Sequence, residues 1–190
     1  MQLKNIYEEN LDKNLANFAH LTPLSFIERC ASVYPERPSI IHGDKTYTWL
    51  ETYHRSCLLA SALKNIEVGY GDTVSFMGAN TPETYEAHFG VPMAGAVLNA
   101  LNVRLDAKSI AFILDHAETK VLFTDKEFSE TIKTALGLVK KKPIVIDIDD
   151  PYFLEGELLG QTKYEEFIKT GDANFRCFQI QDEWQAISLN

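Results

Sequence analysis

At 190 residues, with 45% hydrophobic and 11% aromatic residues, the chain has the composition of one folded domain with a substantial core, not of a disordered segment. Its formal net charge of −9 argues against nucleic acid as a partner, because affinity for phosphate backbones comes from Lys and Arg. The longest charge-free stretch, 87–103, falls short of the ~20 apolar residues a bilayer requires and holds Pro92, Gly95 and Asn99, so no membrane span is expected.

Residues 1–20 are polar with scattered apolar positions and read as an N-terminal arm. Thr22-Pro23 pairs a capping residue with a proline suited to the first helical position. The helix it opens should carry Leu24, Ile27, Ala31 and Tyr34 on one side and stop at Pro35 and Pro38. Residues 39–42 and 45–48 flank Gly43-Asp44, which predicts a hairpin. Thr48 and Glu51 then have the spacing of a capping box. The helix behind it should present Leu50, Tyr53, Cys57, Ala60 and Leu63, and end before Gly69. A helix, a hairpin and a long helix thus fill 21–72.

From 73 to 148 strand and helix signals alternate. Strands are predicted at 73–77, 96–101, 120–124 and 144–148. Thr81-Pro82 opens a helix with Tyr85, Phe89 and Met93 on one face, which Pro92 should interrupt by removing a donor. Asp106 caps a stripe of Ile110, Ile113, Leu114 and Ala117. Burying its three large side chains is worth roughly 4–9 kcal/mol. Asp125 caps another helix with Phe128, Ile132, Leu136 and Val139, closed by Lys140-Lys141-Lys142 at the negative end of its dipole. This order predicts an α/β fold: a mostly parallel sheet, right-handed crossovers and helices on both faces. Residues 149–181 should be an excursion holding one short helix near Tyr164, and 182–190 a return strand.

Chemistry is harder to find. Gly69-Tyr70-Gly71 precedes a strand, and the pair Gly90 and Gly95 is followed by Ala96-Val97, so neither forms a phosphate loop. There is no His-Glu-x-x-His, no Gly-x-Ser-x-Gly, and no metal spacing among His20, His42, His54, His88 and His116. His88 reads as a satisfied helix histidine before it reads as a substrate contact. Arg104, just past a strand end, should pin a loop through a carboxylate, although strand C-termini are where open sheets bind ligands. Asp115-His116 are helix neighbours that point apart. Cys30, Cys57 and Cys177 show no Cys-x-x-Cys spacing and fit reduced thiols, and residues 1–9 carry acids but no signal core; the cytoplasm is expected.

Four segments in order, LTPLSFIER (21–29), TYTWLE (46–51), the run from Asn80 to Leu105, and DEWQAISLN (182–190), resemble the N-terminal part of AMP-forming acyl-CoA synthetases. The resemblance is to the fatty-acyl and acyl-activating branch of the adenylate-forming superfamily, and it is weak across 144–176. It implies the first α/β layer of that family's N-terminal domain. Such enzymes join a fatty or other carboxylic acid to ATP with Mg, releasing pyrophosphate, and pass the acyl group to coenzyme A. The Ser/Thr/Gly-rich phosphate loop of the family would follow Asn190. No catalytic, cofactor-binding or metal residue is therefore assigned here, and ATP, Mg and CoA are implied for the full-length enzyme alone. The resemblance leaves His88, Asn99, Asn102 and Arg104 as a wall of the acyl pocket. It implies an inactive fragment that self-associates through exposed apolar surface. The alternatives are a naturally shortened, non-catalytic interaction module and a stand-alone flavodoxin-like binding domain.

Overall fold

The computed structural model describes residues 10, 12–14, 16–177 and 187–189. Helix α1 (Pro23–Val33) starts where Thr22 accepts the Ser25 N–H, with Pro23 in its first turn. Leu24, Ile27 and Ala31 are buried. Tyr34 departs from the expectation: it lies past the helix and half exposed, because the chain has already turned toward Pro35. Strands β1 (Pro38–His42) and β2 (Lys45–Thr48) form the antiparallel hairpin. Thr48 and Glu51 complete a reciprocal capping box on α2 (Trp49–Asn65).

The main sheet has six strands in the order β7-β6-β5-β3-β4-β8, all paired in parallel. These are β3 (Thr73–Met77), β4 (Val97–Ala100), β5 (Val121–Asp125), β6 (Ile144–Ile148), β7 (Thr162–Lys163) and β8 (Ser188–Leu189). Counted from β3, the first five follow the 2-1-3-4-5 order of flavodoxin-like sheets, with β8 added beside β4. The chain steps from β3 to β4 through α3 (Pro82–Met93), then reverses across β3 to β5 through α4 (Ala107–His116). Right-handed crossovers in opposite directions place these helices on opposite faces. One core layer accordingly joins α1, α2 and α3 to Val74, Phe76, Leu98, Val121 and Phe123. The other joins α4 and α5 (Ser129–Leu136) to Met77 and Leu122. Residues 121, 122 and 123 alternate between the layers, as a strand covered on both faces must.

Three expectations need correction. Helix α3 is not broken at Pro92; it runs through to Met93, because a proline one residue from the end removes a single bond, and the Ala94 N–H resumes the ladder on Gly90. Gly95, at φ +83°, then turns the chain into β4. Tyr85 and Phe89 do meet, with ring centroids 5.2 Å apart, but the most buried stripe of α3 is Glu83, Glu86, Ala87, Gly90 and Val91. The third concerns α5. A 3₁₀ turn, Lys126–Phe128, lies between the Asp125 cap and the helix, which ends at Leu136, short of Val139 and the lysines. The Lys140 N–H is held instead by the Asp115 carboxylate, at 2.9 Å.

One inward acid of α3, Glu86, is answered from a distance. Arg55 on α2 forks onto Glu86, Nε to Oε1 at 2.6 Å and Nη2 to Oε2 at 3.1 Å. The same guanidinium binds Glu165 at 2.6 and 3.1 Å and lies 4.9 Å from the Tyr47 ring. Glu165 belongs to α6 (Tyr164–Ile168), whose Tyr164 hydroxyl donates to Glu86 at 2.8 Å. One cation therefore ties α2, α3, α6 and the hairpin together, and α6 follows directly on β7, the edge strand. That two-residue strand has no hydrophobic alternation to announce it.

Candidate functional site at the strand C-termini

In an open parallel sheet, ligands collect beyond the carboxyl ends of the strands where the winding reverses. Here that point lies between β3 and β5, because their following helices leave to opposite faces. A cleft of ≈ 410 Å³ opens beyond the end of β3, between the hairpin and the start of α3. Its walls include Ser39, His42, Thr81, Thr84, Tyr85 and His88. The size is within the range of small-molecule pockets. Ring nitrogen Nδ1 of His88 is bound to the Thr84 carbonyl at 2.8 Å, which leaves Nε2 as the ring's other polar atom.

The floor of this edge is acidic. Asp125 ends β5 with 1% of its surface exposed. Its Oδ1 accepts the Glu127 N–H at 3.0 Å, and its Oδ2 has no partner among the described residues. Burial raises its affinity for a proton, and the negative neighbours Asp150, Glu127 and Glu83 add to the effect. Asp150 also meets the His42 ring, Nε2 to Oδ1 at 3.4 Å, and Tyr152 packs edge-on against that ring at 5.1 Å. The nearest ammonium by sequence, on Lys126, is committed to Asp149. A triphosphate needs convergent N–H groups and cations; this edge offers carboxylates, so the residues present do not fit ATP. Among the described residues no group of three or more His, Cys, Asp or Glu side chains could hold Mg or another metal.

Of the four residues assigned from the resemblance, His88 alone lines this cleft. Asn99 is buried within the sheet, where its Nδ2 donates to Ser75 Oγ at 2.9 Å, and Ser75 meets Thr119 at 2.7 Å. Asn102 is exposed after β4 and accepts the Arg104 N–H at 3.0 Å, closing a local turn. The Arg104 side chain is exposed and makes no ion pair with a carboxylate among the described residues, so the expected carboxylate pin is not found there. Glu83 and Asp150 carry no motif that marks them in the sequence, where His42 reads only as a hairpin residue and Asp125 only as a cap. Strand-terminal Asp residues after two consecutive parallel strands were the available signal. Asp115 and His116 face the opposite edge of the sheet, where His116 stacks on Phe112 at 5.5 Å. The segment DEWQ and Ala186 lie outside the described residues, whereas Ser188 and Leu189 form the expected return strand beside β4.

The sheet order and the helices on its two faces define a doubly wound α/β domain. Comparison narrows this. A family model described as AMP-binding enzyme matches residues 27–181, and the chain belongs to that family. It is 46% identical over 193 aligned residues to an acetate–CoA ligase of Humulus lupulus, covering 95% of this chain and 34% of the relative. An acetate/butyrate–CoA ligase of Arabidopsis thaliana, named as peroxisomal, is 44% identical with the same coverage. A peroxisomal benzoate–CoA ligase from that plant is 42% identical over 92% of this chain and 32% of its own. The chain thus spans about a third of the length of these relatives. Among solved structures, an anthranilate CoA ligase bound to anthranoyl-AMP superposes with a TM-score of 0.81 at 21% identity, over 91% of this chain and 32% of that one. The N-terminal domain of a Mycobacterium tuberculosis protein, FACL13, superposes at 0.72 and 19% over 86% of this chain and 39% of that one. The last two likenesses establish the fold. No helix among the described residues is long and apolar enough to cross a membrane.

Proposed function

We propose that this chain is the first α/β layer of an acyl-CoA ligase. The whole enzyme would activate a short-chain fatty acid with ATP and Mg and transfer the acyl group to coenzyme A. The reading is carried by the match to acyl-CoA ligases over nearly the whole chain, and the substrate class follows the acetate and butyrate in two relatives' names. The 190 residues alone do not adenylate, since the carboxylate-rich edge would repel the charge that develops at the α-phosphate. Their part is to present a rigid wall, with His88, Asn102 and Arg104 facing the acyl substrate once the rest of the enzyme packs on. Asn99 serves that wall from inside, through Ser75.

The test has two arms. Full-length protein should form the CoA thioester of acetate or butyrate faster than that of benzoate or a long-chain acid. The isolated chain should show no carboxylate-dependent exchange of pyrophosphate into ATP, and exchange above background would overturn its inactivity. Apolar side chains such as Phe112 and Leu154, exposed by 67% and 89%, support self-association of the isolated chain. A sedimentation coefficient that does not change with concentration would count against it. A cytosolic location is supported by the three free thiols; colocalisation with a peroxisomal marker, as two relatives' names would suggest, would contradict this.

A further inference from the structure

Two exposed features at opposite ends of the strands complement each other in shape and charge. The first is a knob at the carboxyl ends, in the chain that leaves β6. That chain is clamped on either side of Leu154. The Tyr152 hydroxyl accepts the Asp44 N–H at the hairpin tip, at 2.7 Å. Gly156, at φ +94°, lies so close to the chain after β5 that an added Cβ would stand 2.1 Å from the Lys126 carbonyl oxygen. Leu154, between these clamps, is the most exposed large hydrophobic side chain among the described residues. Glu155 beside it is exposed and forms no ion pair among the described residues. The second feature is a hollow of ≈ 410 Å³ at the amino ends, between the end of α4 and the turn before β6. Phe112 and His116, stacked at 5.5 Å, line it together with Lys140 and Lys141. Of its two acids, Asp115 and Glu118, the first is turned onto the Lys140 N–H, at 2.9 and 3.2 Å. Lys140, Lys141 and the adjoining Lys142 form no ion pair among the described residues. The hollow is apolar and basic where the knob is apolar and acidic.

We propose that this chain binds further copies of itself head to tail, with Leu154 of one copy seated in the Phe112–His116 hollow of the next. The proposal rests on the self-association read above, and it assigns the two surfaces and their direction. Knob and hollow cannot meet within one chain, because the five residues of β6 separate their ends by roughly 17 Å. Two copies stacked end to end with their strands pointing the same way bring them together. The same step sets Glu155 of one copy beside Lys140 and Lys141 of the next. Removal of Leu154 from water drives the contact, and the charges choose its direction. Knob against knob would oppose Glu155 to its like, and hollow against hollow would oppose the lysines. A contact between two different patches leaves a free knob at one end and a free hollow at the other. Growth therefore continues past the dimer, into a ring or a filament. A two-fold dimer would use one patch twice and stop.

The experiment is sedimentation velocity of the 190-residue chain at rising concentration, in low and in high salt. The expected sedimentation coefficient climbs past the dimer value and falls back when salt is added. Leu154→Asp and the double variant Lys140→Glu/Lys141→Glu change exposed side chains only, and each should stay monomeric by itself. Mixed in equal amounts, the two should form a heterodimer and nothing larger, because one keeps the hollow and the other keeps the knob. Three results would overturn the head-to-tail contact and leave self-association through another surface: a wild-type chain that stops at the dimer, variants that associate alone as the wild type does, or a mixture that stays monomeric. A wild-type chain that is monomeric at every concentration would overturn both.

Discussion

The Arg55 cluster and the strand C-terminal edge are both made of buried acids, and they have opposite character. Around Arg55 every charge has an answer: Glu86, with a fully buried side chain, receives two bonds from the guanidinium and one from Tyr164. Burial still pushes the Glu86 carboxyl up to about 7, with Arg55 and Tyr164 pulling it back. At the other site one Asp125 oxygen, set among like charges, has no partner among the described residues. The first arrangement fixes helices to one another; the second costs stability in this chain. Buried polar groups left unsatisfied are expected where a fold meets function.

The contrast can be broken most severely at Arg55. Arg55→Met removes the cation and strands Glu86, so a loss of about 3–5 kcal/mol in urea unfolding is expected. A loss below about 1 kcal/mol would mean that Glu86 is neutral without its partner. Asp125→Asn should act in the opposite direction, raising stability at pH 7 by about 1–2 kcal/mol, because an amide can donate to a neighbouring carboxylate and Oδ1 can still cap Glu127. The pH dependence has a definite sign. A folded-state affinity for protons above the unfolded value means that the folded chain binds more protons, so wild-type stability from this group rises as pH falls toward the ordinary carboxylate range. The advantage of Asp125→Asn should therefore shrink from pH 7 to pH 4, and a constant advantage would show that Asp125 does not titrate differently in the fold.

Smaller effects sharpen the comparison by showing what partly exposed interactions are worth. Thr48→Ala removes one half of the capping box and should cost ~1 kcal/mol, seen as a lower urea midpoint with unchanged slope. Lys133 and Glu157 form a 2.8 Å pair in which both side chains are more than 60% exposed. Lys133→Ala should change stability by less than about 0.5 kcal/mol, and still less at high salt.

Much of the fold was legible because its signals are local. The strands Thr73–Met77 and Ile144–Ile148 and the helix near Tyr164 follow from hydrophobic runs bounded by turn residues, and the Thr48 capping box from a four-residue spacing. What was not legible depends on partners far along the chain. Glu86 looks like an exposed helix residue until Arg55, 31 positions earlier, is placed beside it. Asp125 looks like an ordinary cap, and it is one; its second oxygen becomes an anomaly only when β6 and the hairpin bring Asp150 and His42 alongside. The resemblance puts Asn99 in the pocket wall, but the direction of its side chain into the sheet is set by the pairing register with Ser75.

The position of β8 has a consequence for how the polypeptide is born. Strand β4 is bordered by β3 on one side and by Ser188 and Leu189 on the other, about ninety residues later in the chain. During translation at ~5–20 residues per second, one flank of β4 stays unpaired for roughly 5–20 s after it emerges. An uncovered strand edge of this kind is where a nascent chain recruits the wrong neighbour or a chaperone.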